Sequence, residues 1–257
     1  MNRGIFATNL SGGYGAHTVL HNLSFYAHPG EIVGVIGPNG CGKSTLLKMC
    51  TGILPHTGTL LLGGKCLTSL TPKHRAQTVT LIPPRMAALN LTVFQYVSLG
   101  RTPYHSSHAP LWPRGEKKRV EKILTEVGIL HLAHRKTTTL SSGEQQLAQC
   151  CRALCQDPDI YLFDEPLAHL DITHQGDILS LMHTMAHRGK TVVVVIHDLT
   201  VAGLFCSRLN LLNHGRIIAE GPAEEVLQEK HLHQVYQGNV SVGNPHMTTP
   251  VILPRIP

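Results

Sequence analysis

The run Gly37-Pro38-Asn39-Gly40-Cys41-Gly42-Lys43-Ser44-Thr45 constrains this chain more than any other feature. It matches G-x-x-x-x-G-K-[ST] between the apolar run Ile32 to Ile36 and a segment in which Leu46, Leu47 and Cys50 share one helical face. Gly37, Gly40 and Gly42 can take backbone angles closed to other residues, so successive N–H groups can point into one concavity. The helix beginning near Lys43 adds its positive end to that anion site. Lys43 is expected to neutralise β- and γ-phosphates, the Ser44 hydroxyl to ligate Mg²⁺, and Thr45 to add a phosphate hydrogen bond. A chance glycine turn is the competing reading, and the flanking strand and helix argue against it.

A second polar cluster completes the chemistry of a nucleotide hydrolase. Ile160 to Phe163 reads as a buried strand that ends in Asp164-Glu165. An Asp at that position can hold Mg²⁺, and the adjacent Glu165 can orient or deprotonate an attacking water. Thr191 to Ile196 is a further strand run, which places His197 where ligands of parallel sheets bind, in reach of a γ-phosphate. Strand runs that alternate with helical stretches, such as Ile172 to His187, predict a mainly parallel sheet with helices on its faces. The first third reads as short strands and turns, with a hairpin arm over Thr59 to Leu62 closed at Gly63-Gly64.

Composition bounds the rest. The 257 residues are 42% hydrophobic with a net charge of +6, too apolar for a disordered chain. Apolar runs span only a few residues, far short of the ~20 that a membrane-spanning helix needs. Neither end carries a secretory or lipidation motif, and seven scattered cysteines fit reduced thiols in a cytosolic protein. Eighteen histidines include the pairs His183/His187, His105/His108 and His131/His134, but none has the spacing of a four-ligand structural metal site. The basic excess is uneven: residues 85–157 hold 10 Lys/Arg against 5 Asp/Glu, while the remainder holds 12 against 11. Val120, Ile123, Leu124 and Val127 give that segment a helical period beside the basic stretch 114–122. A solvated helix face is one reading of this stretch; the excess of +5 is modest and aromatic residues are sparse there, which disfavours a nucleic-acid surface.

The ordered set GPNGCGKST at 37–45, LSSGEQQ at 140–146, YLFDEP at 161–166, HLD at 169–171 and IHDL at 196–199 resembles the ATP-binding subunits of ABC transporters over nearly the whole chain. That resemblance implies an α/β fold: a RecA-like P-loop NTPase core with an antiparallel β subdomain (1–84 and 158–257) and an α-helical insert (85–157). It implies ATP and Mg²⁺ as cofactors, and a head-to-tail homodimer with two ATP molecules between the subunits. Ser141, Ser142, Gly143 and Glu144 would approach the partner's nucleotide, Asp171 would lie at the dimer seam, and Tyr14 would stack on adenine. It also implies work at the cytoplasmic face of the cell membrane with a polytopic permease and, indirectly, a substrate-binding protein. The stretches 91–104, 196–203 and 214–227 resemble the subgroup serving iron–siderophore, haem and cobalamin importers. A soluble ABC ATPase in cofactor assembly or regulation, and a nucleotide-binding module that hardly hydrolyses, are the alternatives.

Two departures from the family pattern stand out. Ser142 replaces the first glycine of the usual Leu-Ser-Gly-Gly, and Pro84 stands where a glutamine is expected to sense Mg²⁺ and water; Gln77 comes too early to replace it. Slow turnover, or partial replacement by Arg85, is the expected consequence. Cys41, a thiol in a phosphate loop near a helix N-terminus, is expected to carry an enhanced thiolate fraction. Trp112 is expected in the coupling surface or packed in the insert.

Overall fold

A computed structural model describes residues 4–105, 114–237, 240–243 and 251–254. Trp112 and His108 lie outside them. The chain opens with two strands longer than the sequence suggested, β1 (Ile5–Tyr14) and β2 (His17–Ala27), then β3 (Ile32–Ile36) and helix α1 (Lys43–Cys50). Next come β4 (Thr57–Leu62), the two-residue β5 (Lys65–Cys66), α2 (Pro72–Thr78) and β6 (Val79–Ile82). Among the described residues, three α-helices follow before the sheet resumes: α3 (Val93–Ser98), α4 (Arg114–Glu126) and α5 (Ser142–Gln156). The second α/β stretch runs β7 (Ile160–Asp164), α6 (Ile172–His187), β8 (Thr191–Val195), α7 (Leu199–Phe205), β9 (Arg208–Asn213) and β10 (Arg216–Gly221). Short helices α8 (Ala223–Val226) and α9 (Glu229–Tyr236) and a hairpin of β11 (Val240–Gly243) with β12 (Val251–Pro254) follow.

A six-stranded sheet, in the order β10-β9-β3-β8-β7-β6, is parallel except for β10. An antiparallel sheet, β2-β1-β4-β5, lies over one of its faces. Strands β3, β7 and β8 are buried at every residue, which explains their unbroken apolar runs: a parallel strand covered on both faces has no polar side to show. Alternate side chains go to different cores. Val33, Val35, Ile160, Leu162, Val193 and Val195 meet α1 and the antiparallel sheet. Ile32, Ile36, Tyr161, Phe163, Val192 and Val194 meet the helices on the other face. Burying one such side chain contributes about 1.5–3 kcal/mol, so these three strands anchor both layers.

The helices α3, α4 and α5 join the second of these cores, where Val93, Val120, Leu124 and Leu147 pack with Ile82 and Phe163. Local sequence sets their limits. Thr92 and Gln95 form a reciprocal capping box at the start of α3, as Ser141 and Glu144 do at the start of α5. Arg101 fastens the insert internally: its Nε donates to Glu116 at 2.8 Å and its Nη1 to the Cys155 carbonyl at 3.0 Å. No helix among the described residues is long and apolar enough to cross a membrane.

Candidate functional site

The sheet order places the C-terminal ends of β3, β8 and β7 side by side, and each strand delivers a polar element there. From β3 comes the glycine-rich turn. Gly37 adopts φ +143°, and a Cβ on it would sit 2.1 Å from the Leu212 carbonyl oxygen of β9, so only glycine fits. Gly40, at φ +79°, has open space around it; there the backbone angle alone favours glycine. α1 starts at a left-handed Gly42 with no side-chain cap, which leaves its first N–H groups free for an anion.

Lys43 is 5% exposed, and its ammonium donates to the Gly37 and Pro38 carbonyls, each at 2.9 Å. A charge buried to that degree requires such partners. Ser44 Oγ donates to Asp164 Oδ1 at 2.8 Å across the sheet. Burial raises the Asp164 carboxyl above its usual value, against the lowering effects of the Ser44 bond and of Lys48 and Lys43. Hydroxyl and carboxylate oxygens held together are the hard donors that suit a small divalent cation, so Ser44 and Asp164 fit Mg²⁺.

Glu165 follows in a left-handed turn, φ 51°, that swings it away from Asp164 and toward the end of β8. Its Oε1 lies 2.6 Å from His197 Nε2, and both side chains remain partly exposed. The sequence proposed each residue separately; the structure brings them together. Asp198 then caps α7 by accepting from the Val201 N–H at 2.9 Å, which fixes His197 between strand and helix.

A cleft of about 350 Å³ runs from Tyr14 past Gly40, Lys43, Ser44 and Thr45 to Glu165. Tyr14 is 45% exposed, and its hydroxyl accepts from Lys48 Nζ at 3.1 Å. That bond holds the phenol below its ordinary value. His17 also lines the cleft, a residue that sequence reasoning passed over because it belongs to no motif. Asn39 lies exposed at the rim.

The signature residues start α5. The Ser141 hydroxyl accepts from the Glu144 N–H at 3.2 Å, while Glu144 Oε2 accepts from the Ser141 N–H at 2.8 Å and is held below its usual carboxyl value by that bond. Ser142 Oγ donates to the His169 carbonyl at 3.4 Å. Gly143 lies under the ring of His174, where a Cβ would come within 2.4 Å of the imidazole. Asp171 caps α6 by accepting from the His174 N–H at 2.9 Å and also faces that ring's Nδ1 at 3.0 Å. Thus the signature turn and the Asp171 turn touch within one chain through His174. The sequence reading missed this residue; its signal was the D-x-x-H spacing of a capped helix start.

Other expectations resolve unevenly. Cys41 is buried, and desolvation pushes its thiol up more than Lys43 draws it down, so the expected enhanced thiolate fraction is overturned. Pro84 and Arg85 sit exposed in the turn after β6, and Gln77 instead donates to the Pro103 carbonyl at 3.0 Å. His183 and His187 stack 5.3 Å apart on α6, and no metal-holding cluster occurs among the described residues.

The sequence profile of the ABC transporter family matches residues 20–168, more than half of the chain. The chain is 37% identical over 246 residues to the iron(3+)-hydroxamate import ATP-binding protein FhuC of Bacillus subtilis, covering 94% of this chain and 91% of that one. It is 37% identical over 240 residues to the hemin import ATP-binding protein HmuV of Bordetella avium, covering 90% of each. It spans 54% of the length of a longer relative, the ABC transporter ATP-binding protein YvrA of Bacillus subtilis, at 34% identity over 91% of this chain. Among solved structures, a chain of an ABC transporter ascribed to the metal-chelate type, in an inward-facing conformation, superposes with a TM-score of 0.86 at 25% identity, covering 100% of this chain and 98% of that one. With the phosphate loop, the acidic pair and the signature helix arranged as above, the chain belongs to the ABC transporter family, as one of its ATP-binding, ATP-hydrolysing subunits.

Proposed function

We propose that the chain energises an importer of iron chelates, of the siderophore or haem type, as a peripheral subunit at the cytoplasmic face of the membrane. The observation that carries the ATPase reading is the meeting of Lys43, the Ser44–Asp164 bond and the Glu165–His197 pair at three adjacent strand ends. The names of the relatives carry the importer reading. The solute itself would be held by a membrane permease and a substrate-binding protein, so no residue here selects it.

In this reading the backbone N–H groups of residues 37–45 cradle the phosphates, and Lys43 leaves its carbonyl partners to meet the β- and γ-phosphates. Ser44 and Asp164 hold Mg²⁺, which supplies charge neutralisation on the transferred phosphoryl group. Glu165 takes the proton of the attacking water, and His197, 2.6 Å away, orients that carboxylate and contacts the γ-phosphate. Tyr14 stacks on the adenine from the far side of the cleft. A second copy presents Ser141, Ser142, Gly143 and Glu144 to the same nucleotide, with Asp171 at the seam of the pair. Residues 85–157 form the helical subdomain that meets the permease.

Intact Glu165 and His197 argue against a module that binds nucleotide without turnover, despite Pro84. The names of the relatives give no support to a role outside transport. The test is purification from membranes with its operating partners, followed by an ATPase assay with and without a loaded binding protein. Co-purification of a polytopic subunit and stimulated hydrolysis are expected. An active ATPase that never associates with a membrane subunit would overturn the importer reading.

A further inference from the structure

The nucleotide chemistry leaves the opposite end of the parallel sheet unused, and a second cleft of about 290 Å³ lies there. It opens beside the start of β7, between α4 and the turn from α6 to β8. Arg119 and Lys122 of α4 face Arg188 and Lys190 of that turn, with Tyr161 of β7 between them. Ile123, Leu154 and Met185 give it an apolar lining. Two carboxylates, Asp157 and Glu126, also border it, so four cations meet two anions.

The ion pairs do not use up the available donors. Asp157, left-handed at the end of α5, takes Arg119 Nη2 at 3.1 Å and Lys190 Nζ at 2.9 Å, while Lys122 reaches Glu126 at 3.7 Å with both side chains exposed. Arg188 has no hydrogen-bond or ion-pair partner for its guanidinium among the described residues. The Arg119 Nε is buried without an acceptor. Tyr161 is 1% exposed, and its hydroxyl has no partner among the described residues although it lines the cleft. Burial keeps that phenol protonated and therefore a donor. A buried donor such as the Arg119 Nε is costly without a partner, and a ligand that accepts from it recovers that loss, while the Tyr161 hydroxyl offers a further donor toward the cleft.

We propose that this cleft binds a phosphate monoester, either a small free molecule or a lipid headgroup. A phosphate monoester carries a charge near −2 and three terminal oxygens at neutral pH, which matches the surplus of two cations and donors converging from three elements. A carboxylate offers one charge and two coplanar oxygens, a poorer match to that spread. Bound there, the ligand bridges α4 to the α6–β8 turn and so ties the inserted helices to the sheet at the end remote from ATP.

The probe is glycerol 3-phosphate, titrated calorimetrically into the full chain with saturating ADP present to occupy the phosphate loop. A parallel arm measures co-sedimentation with phosphatidylcholine vesicles with and without phosphatidate. Saturable binding is expected in at least one arm; which arm responds identifies the free or the lipid source. The double variant Lys122→Gln/Arg188→Gln should weaken it about tenfold or more, and Tyr161→Phe several-fold, with basal ATPase and thermal melting unchanged. No saturable binding in either arm, equal affinity in the variants, or binding abolished by ADP would overturn the proposal.

Discussion

At the C-terminal ends of β3, β7 and β8, attraction for an anion comes from backbone N–H groups of the glycine turn and the start of α1, with Lys43 beneath them. At the other end of the same strands it comes from side chains, Arg119, Lys122, Arg188 and Lys190, carried on α4 and a turn. Backbone donors are fixed by the fold before any ligand arrives, whereas long cationic side chains must be ordered by the ligand they bind. The first end is therefore suited to chemistry, which needs geometry held in advance, and the second to adjustable recognition.

The strongest way to sharpen this contrast is at Glu165, the proposed general base. Glu165→Gln should slow hydrolysis by about 10²–10⁴-fold while ATP binding persists, measured by steady-state turnover against equilibrium nucleotide binding. Lys190→Gln, at the opposite end, should leave basal turnover within about twofold, since its ammonium pairs with Asp157, away from the phosphate loop. A comparable loss in both variants would break the division between the two ends.

Pro84→Gln comes next. If the missing glutamine limits turnover or its coupling to transport, restoring it should raise one of them several-fold in the reconstituted complex. No change in either rate would show that the exposed turn after β6 has no part in the reaction.

Stability offers a smaller test. Because burial raises the folded Asp164 pKa above its unfolded value, the folded state binds this proton more tightly. Stability is then lost as pH rises from about the ordinary Asp value through the folded one, and the cost is fully present at neutral pH. Asp164→Asn should melt higher than the parent at pH 7, with the gap closing as pH falls below about 4. A gap that is constant with pH would mean that burial does not penalise this charge.

The smallest effect concerns thiols. Cys66 has its thiol lowered by hydrogen bonds from Thr68, while Cys41 is raised by burial. Iodoacetamide should label Cys66 first, read by peptide mass spectrometry; prior labelling of Cys41 would restore a reactive phosphate-loop thiol.

What was legible in the sequence divides along the same line. The phosphate loop and the acidic pair are each contiguous, so local spacing reveals their elements and chemistry, whereas the signature was readable only through its resemblance to a family. Helix α6 was readable to its limits, Ile172 and His187, because its start is an Asp-capped turn and its end precedes Arg188-Gly189. The length of β1 and β2 was not readable, since their register shifts between Ala7 and Gly13 break the alternation on which strand recognition depends. The Glu165–His197 contact and the second cleft join residues far apart in sequence, and no local pattern encodes such meetings. Cys41 was misread because helix-end electrostatics can be judged from sequence, whereas the depth of burial cannot.

The alternation of β7 between two cores has a consequence for how faults reach the active centre. Deleting Ile160 or Tyr161 would shift Asp164 by a single step and, in the same event, exchange the faces of Leu162 and Phe163. Each residue would then meet a lining built for the other, and the sheet would lose cohesion on both sides. An error in the placement of Asp164, the carboxylate proposed to hold Mg²⁺, is thus converted into unfolding, which cellular proteolysis can detect, rather than into a stable subunit that hydrolyses ATP at the wrong point of the transport cycle.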